Sequence, residues 1–350
     1  MSHDWKNILL KPQQPIRDAL QLIDKESLRI ALVVDDNLRL HGIVTDGDIR
    51  RGLLRNLSID SEVNKVMNIN PLTAEYGSPR SELVKIMENE QILAIPLLKD
   101  GVIEGVETLQ RSSNSLVYKN PVFLMAGGFG SRLKPLTDSC PKPMLQVGDK
   151  PILEVLLNSF IKSGFINFYI STHYMPEVIK KYFGDGSKWG VNINYVHEET
   201  PLGTGGALGL LPDDTPDLPL ILTNGDVLTN VDFERILEFH EKNNSAATMC
   251  VRDYEYKVPY GVITGEGNRV SRMVEKPIQQ FFVNAGIYVI SSKVRKSVPK
   301  NIHVDMPSLL ENYLDVEEGV MMFPIHEYWL DIGGMEDFKR AQLDIKNMRF

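Results

Sequence analysis

The run from Val122 to Glu154, VFLMAGGFGSRLKPLTDSCPKPMLQVGDKPILE, constrains the fold of this chain more than any other stretch. Val122-Phe123-Leu124-Met125-Ala126 is apolar without alternation, the pattern of a strand covered on both faces. Gly127, Gly128 and Gly130 follow at once, then a basic segment, then a helical pattern. A buried strand that passes through a glycine turn into a helix belongs in a parallel sheet, and such sheets take ligands at the carboxyl ends of their strands. Glycines there let backbone N–H groups close around an anion and let the chain adopt positive φ. Arg132, Lys134 and Lys142 add cations for phosphate oxygens, and Pro141 and Pro143 stiffen the backbone around Lys142. Together they describe a nucleoside triphosphate site, with Met125, Ala126, Gly127, Gly128 and Gly130 as its nucleotide-binding backbone. The pattern G-x-x-x-x-G-K-[ST] is absent, which argues against a P-loop kinase or ATPase, and there is no convincing dinucleotide fingerprint.

From Pro121 onward strands alternate with helices: VFLMAGG, ILEVLLNSFIKSG, INFYIST, PEVIKKYFG, INYVHEE. The alternation predicts an α/β, Rossmann-like domain over 121–350, with a mixed, mainly parallel sheet and helices on both faces. Glu198-Glu199 and Asp226 fall at strand ends, as the glycine loop does. Residues 111–120, RSSNSLVYKN, are polar without periodicity and read as a linker. Before it, Ile16–Thr45 aligns without gaps on Pro79–Thr108, a shift of 63 residues. Each copy runs helix, strand, turn, strand. Either copy alone is too small to bury a core, so the two α+β halves of 1–115, about 1–57 and 58–115, should pair.

The formal net charge of −8 argues against a nucleic-acid surface, which needs a basic footprint. A triphosphate still binds an acidic protein through local cations and a divalent metal. Cys140 and Cys250 have no C-x-x-C spacing and suggest no disulfide framework. MSHDWKNILLKP carries no signal pattern, and no apolar run is long enough to span a bilayer, so a soluble, cytoplasmic chain with no membrane partner is expected.

The opening run, A-G-G-x-G-[ST]-R-L-x-P-L-T-x-x-x-P-K-P-M-L, closely resembles that of the sugar-1-phosphate nucleotidylyltransferases. The resemblance continues in order with PLGTGGAL at 201–208, NGDVL at 224–228, YGVI at 260–263, EKP at 275–277, NAGIYV at 284–289 and WLDIGG at 329–334. The repeat resembles a tandem of cystathionine-β-synthase (CBS) domains, on GIVTDGDIRRGLL at 42–54 and a weaker GVETLQRS at 105–112. In that family a Thr or Ser followed three residues later by Asp grips the ribose of an adenine nucleotide. Thr45 and Asp48 keep that pattern, though Asp48 also reads as a helix cap. After Thr108 the second copy has Arg111 where the Asp would be, which implies at most one well-formed ribose site.

The resemblance implies that a sugar 1-phosphate oxygen attacks the α-phosphorus of a nucleoside triphosphate and pyrophosphate leaves. Both reactants are anions, so charge neutralisation and alignment dominate, and an ionised attacking phosphate needs no general base. Arg132 would hold the pyrophosphate, Lys142 the α-phosphate and Lys276 the sugar phosphate, while Asp226 and Asp331 would hold one Mg²⁺. Glu198, with Glu199 as fallback, stands where related enzymes read the base. A carboxylate accepts two donors at once and suits guanine N1–H and N2–H₂, which points to GTP before UTP, CTP or dTTP. Gly203 in PLGTGG is expected in the nucleotide-binding set with Glu198, and with Glu275, Asn284 and Gly286 it also resembles the family's sugar-contacting positions. A CBS pair followed by this enzyme resembles bacterial glucosamine-1-phosphate guanylyltransferases of nonulosonic-acid and surface-glycan synthesis, with mannose and heptose 1-phosphates open. A homo-oligomer is expected. The reading from another class is a catalytically inactive nucleotide-sensing subunit.

Overall fold

The structure is a computed structural model and describes residues 5–26, 29–90, 92–109 and 117–346. The chain divides into two compact units, Met1–Asn114 and Ser115–Phe350.

In the first unit, β1 (Leu9–Leu10), α1 (Ile16–Glu26), β2 (Ile30–Val34), β3 (Leu40–Thr45) and α2 (Asp46–Leu54) precede β4 (Ala74–Glu75), α3 (Arg80–Asn89), β5 (Ala94–Lys99) and β6 (Val102–Thr108). The repeat is visible in the wiring. β1 runs parallel and β3 antiparallel to β2, as β4 and β6 do to β5. Each copy has one ladder slip, at Val33/Val34 and at Leu97/Leu98. Alternation along β2 explains the pairing. Ala31 and Val33 face Ile16, Ala19 and Ile23 of α1, whereas Ile30, Leu32 and Val34 share a core with Ala94 and Ile103 of the second copy. The Ile103 N–H donates to Leu38 O at 2.9 Å across the two copies. Arg111 lies outside the described residues.

The second unit opens with β7 (Tyr118–Met125). The end of the expected linker is therefore strand. Tyr118 stacks on Phe165 at 4.9 Å and donates to Glu234 at 2.7 Å, contacts that a polar local sequence does not announce. A small hairpin, β8 (Gln146–Val147) and β9 (Lys150–Pro151), leads into α4 (Ile152–Lys162), β10 (Phe165–Thr172), α5 (Pro176–Phe183), β11 (Asn192–His197) and the short α6 (Gly203–Gly206). Then come β12 (Leu220–Asn224), β13 (Val227–Thr229), α7 (Phe233–Lys242), β14 (Ala247–Lys257), β15 (Val262–Glu266), β16 (Arg269–Val274) and β17 (Ile278–Ile290). The chain continues through α8 (Ser292–Ser297), α9 (Met306–Glu311), β18 (Val320–Ile325), β19 (Trp329–Asp331) and α10 (Met335–Asp344).

Seven strands form one sheet in the order β11-β10-β7-β12-β17-β14-β18. Only β17 runs against its neighbours, so the sheet is mixed and mainly parallel, as expected. β7 alternates between two cores. Val122 and Leu124 join Phe160 of α4 and Phe233 of α7, whose rings stack at 3.6 Å, and Phe123 joins Val294 of α8 and Leu309 of α9. Parallel register then lines up the strand ends, with Met125 beside both Ser171 and Asn224, and Thr172 beside His197. β14 and β17 continue as a two-stranded ribbon, and most residues of its outer half and of the β15–β16 hairpin are exposed. Among the described residues no helix is long and apolar enough to cross a membrane.

Candidate active site

The aligned ends of β7, β10, β11 and β12 floor a pocket of about 280 Å³. Its lining includes Met125, Gly127, Gly128, Lys142, Glu198, Gly203 and Asp226 from the sequence reading. A second cavity, about 570 Å³, has no lysine or arginine in its lining and lacks the cations that phosphates need.

The three glycines do different work. At Gly127 a Cβ would stand 2.9 Å from Glu198 Oε1, so a side chain there would have to displace that carboxylate. Gly128 faces open space. Of the three only Gly130 has positive φ, +62°, and a Cβ there would meet Lys142 Cβ at 2.8 Å. Thr137 Oγ1 holds this turn by donating to Gly130 O at 2.9 Å. Ala126 is buried, and its N–H reaches Ser171 O at 3.2 Å.

Lys142 is buried and forms an ion pair with Asp226. Asp226 directly precedes β13, which pairs antiparallel with β19 so that Val227 faces Asp331. Residues far apart in sequence thus become neighbours, and Ile332 N–H donates to Asp226 O at 3.2 Å. Burial pushes the Asp331 carboxyl up from its ordinary value, the negative Asp226 adds to the rise, and Lys142 and Arg132 oppose it. Asp226 Oδ1 is buried with no hydrogen-bond partner among the described residues. Two adjacent hard carboxylates, one with an orphaned oxygen and the other resisting ionisation, fit a divalent cation such as Mg²⁺. Arg132 is exposed and, like Asp331, outside the pocket lining, and a Cβ on Gly333 would stand 3.6 Å from Arg132 Nη1 and 3.8 Å from Asp331 Oδ2.

Glu198 is buried, and its Oε2 accepts the Leu202 N–H at 3.1 Å. His173 Nδ1 lies 2.7 Å from Glu198 O, so it carries the proton and pins the backbone of that residue. Glu199 is exposed and outside the lining. On the other side of β12, Asn284 Oδ1 accepts the Gly286 N–H at 2.9 Å, and Asn284 Nδ2 donates to the Tyr288 hydroxyl. Gly286, φ +68°, passes so close to Asn224 that a Cβ would stand 2.6 Å from its Nδ2. Glu275 and Lys276 are not brought into the pocket lining. They sit exposed before β17, in which six residue steps separate Ile278 from Asn284, roughly 20 Å of strand. In the first unit Thr45 and Asp48 form a capping box. Asp48 Oδ2 accepts from Thr45 N at 2.8 Å and from its hydroxyl at 2.6 Å, and Arg51 pairs with Asp48 Oδ1.

The sequence reading did not single out Ser171, Asn224, Phe129, Thr204 or His173. The first four line the pocket, and the ring edge of His173 lies against Phe129 at 5.2 Å. Asn224 stood in the N-G-D run and Ser171 at the polar end of an apolar strand, the available signals.

Residues 122–348 match the nucleotidyl transferase family, and residues 4–55 match the CBS domain. Mannose-1-phosphate guanylyltransferase of Mycobacterium tuberculosis is 37% identical over 236 residues, 63% of each chain. Mannose-1-phosphate guanyltransferase of Yarrowia lipolytica is 34% identical over 229 residues, 61% of each. The chain thus spans less than two thirds of the length of these relatives. Among solved structures, HddC from Yersinia pseudotuberculosis complexed with GMP-PN matches 65% of this chain and 99% of its own, with 25% identity and a TM-score of 0.50. A structure described as a Bacillus anthracis glucose-1-phosphate thymidylyltransferase matches 66% and 96%, with 23% identity and a TM-score of 0.53.

Proposed function

The chain belongs to the nucleotidyl transferase family, and from that premise we propose that it transfers GMP from GTP to a hexose 1-phosphate, releasing pyrophosphate. The observation that carries this reading is the meeting of Asp226 and Asp331 across paired strands, with Lys142 beside them and buried Glu198 in the same pocket as the glycine loop.

In this reading the amides of Gly127, Gly128 and Gly130 donate to the triphosphate. Arg132 grips the leaving pyrophosphate with its planar fork, and Lys142 leaves Asp226 to neutralise the α-phosphate. Asp226 and Asp331 would hold Mg²⁺, whose chemistry there is to offset charge between the two phosphates. The attacking phosphate arrives ionised, so the chain's task is alignment and charge. Glu198 keeps one oxygen on Leu202 and offers its remaining lone pairs to guanine N1–H and N2–H₂. Asn284, Gly286 and Glu275 would contact the sugar and Lys276 its phosphate, the last two from the exposed segment before the ribbon strand. The names of the relatives support mannose 1-phosphate as the acceptor, and the CBS-first domain order supports glucosamine 1-phosphate. The first unit would bind an adenine nucleotide at Thr45 and Asp48, in a homo-oligomer.

The test is a donor-by-acceptor matrix: GTP, UTP, CTP and dTTP against mannose, glucosamine, glucose and heptose 1-phosphates, with pyrophosphate release measured. GTP with one hexose phosphate should dominate. No turnover with any pair would leave the inactive sensing subunit as the reading.

A further inference from the structure

We propose that Thr204 and Asp305 form a reciprocal cap that positions the nucleotide-binding loop, and so sets how tightly the triphosphate is held. The proposal rests on the pocket's being the nucleotide site. The starts of α6 and α9 each leave backbone N–H groups without intrahelical partners. Asp305 is the N-cap of α9, yet its carboxylate makes no bond to its own helix. Instead Thr204 Oγ1 accepts the Met306 N–H at 2.8 Å. In return Asp305 Oδ1 accepts the Thr204 N–H at 3.3 Å and lies 3.5 Å from the Thr204 hydroxyl. Each helix start is completed by a side chain from the other, about a hundred residues away.

The cap joins the Pro201–Gly206 loop to the strap 302–306. Backbone bonds hold its flanks: Val304 N–H donates to Leu202 O at 2.9 Å, and Val304 O accepts from Gly205 at 2.8 Å and Gly206 at 3.0 Å. A Cβ on Gly203 would stand 2.7 Å from Val304 O, and one on Gly206 would stand 2.5 Å from Ile302 O, so the loop lies hard against the strap. Val304 and Met306 of the strap pack on the core, while His303 and Asp305 border a cavity. That cavity, of about 570 Å³, is also lined by Ser297, Ser308, Asn312 and Tyr313 among others. Val304 holds the residues on either side, and the Thr204 N–H itself is held by Asp305 Oδ1, so the orientation of the Gly203–Thr204 peptide depends on the side-chain cap. Leu202 N–H, one residue earlier, is bonded to Glu198 Oε2, so the loop's setting reaches the base-reading carboxylate.

The experiment compares full-length T204V, D305A, their double variant and D305N, whose amide oxygen still accepts. The KM for GTP should rise about fivefold in T204V and in D305A, as loss of one net hydrogen bond predicts. The double variant should exceed either single but fall short of the product of their effects, because the Thr204 hydroxyl and the Asp305 carboxylate also meet each other at 3.5 Å. kcat at saturating GTP and the KM for the sugar phosphate should stay within about twofold, and D305N should match the wild type. An unchanged GTP KM in T204V, equal shifts in both substrates, or additive singles would overturn the cap. Hydrogen exchange without nucleotide separates this from the proposed activity. Amides 202–206 should exchange faster in T204V and D305A, and unaltered rates reject the cap. Wild-type protein inactive on every triphosphate rejects the activity instead.

Discussion

At Asp331 binding and folding pull in opposite directions. Its carboxyl is held above the ordinary value by burial first and by Asp226 second. The native state therefore keeps a proton that the unfolded chain releases, and stability falls as pH rises from about 4 through the native pKa. Asp331→Asn removes that liability. In chelator at neutral pH the variant should melt above the wild type, and its excess stability should shrink toward pH 4. The same change should lower kcat about 10²–10³-fold with Mg²⁺ present, the size expected for losing one electrostatic stabiliser. A variant that melts below the wild type in chelator, or turns over normally, would sink the metal assignment. Gly130→Ala probes the neighbouring cation. With φ +62° and Lys142 Cβ 2.8 Å from the new methyl, it should destabilise by roughly 1–3 kcal/mol and displace Lys142. Activity lost beyond that expected from the folded fraction, measured by denaturant titration, checks it. Single residues with motif context were legible in sequence: Lys142, Asp226, Asp331. Ser171 and His173 were not, because their roles arise only where β10 and β11 end side by side.

Elements were legible wherever a period sets one face. α1 shows Ile16, Ala19 and Ile23 at helical spacing, and all three are buried. The pairing of β13 with β19 was not legible, since about a hundred residues separate two three-residue strands. Nor was a polar contact that α7 adds to its apolar packing on the sheet. His240 lies in the last turn of α7, fully enclosed, with Nδ1 3.1 Å from Thr248 Oγ1 on β14. A helix C-terminus favours imidazolium by roughly 0.3–1 kcal/mol. Burial wins, and the pKa falls from 6.5 to about 4. The unfolded chain then binds the extra proton, so His240's contribution is full above pH 6.5 and is lost as pH falls toward 4. The loss amounts to at most about 3 kcal/mol. Urea midpoints of His240→Gln, which keeps a bond to Thr248 without titrating, should diverge from the wild type between those pH values. Parallel pH profiles for the two proteins would show that His240 titration does not bear on the docking of α7.

For the whole molecule, the division into two units was legible because a fixed shift of 63 residues marks one half and strand–helix alternation the other. The family match to the CBS domain stops at residue 55, yet the second copy repeats the wiring of the first. Hydrophobic alternation keeps that wiring even where motif residues have changed. Each unit has a core of its own residues, Ile30, Leu32, Ala94 and Ile103 in one, and Phe123, Phe160, Phe233 and Leu309 in the other. Two cores imply two cooperative units, so heating the full chain should give two transitions in calorimetry. A ligand stabilises only the unit that binds it, by about 2.7 kcal/mol at a hundred times its dissociation constant. GTP with Mg²⁺ should therefore raise one transition and leave the other in place, and an adenine nucleotide should raise the other if Thr45 and Asp48 hold ribose. The Asp48 carboxylate already serves Thr45 and Arg51, so nucleotide must compete with that cap and its shift should be the smaller. A single transition moved equally by both ligands would mean that the units unfold as one, and a GTP shift in the first unit alone would place the triphosphate away from the glycine loop.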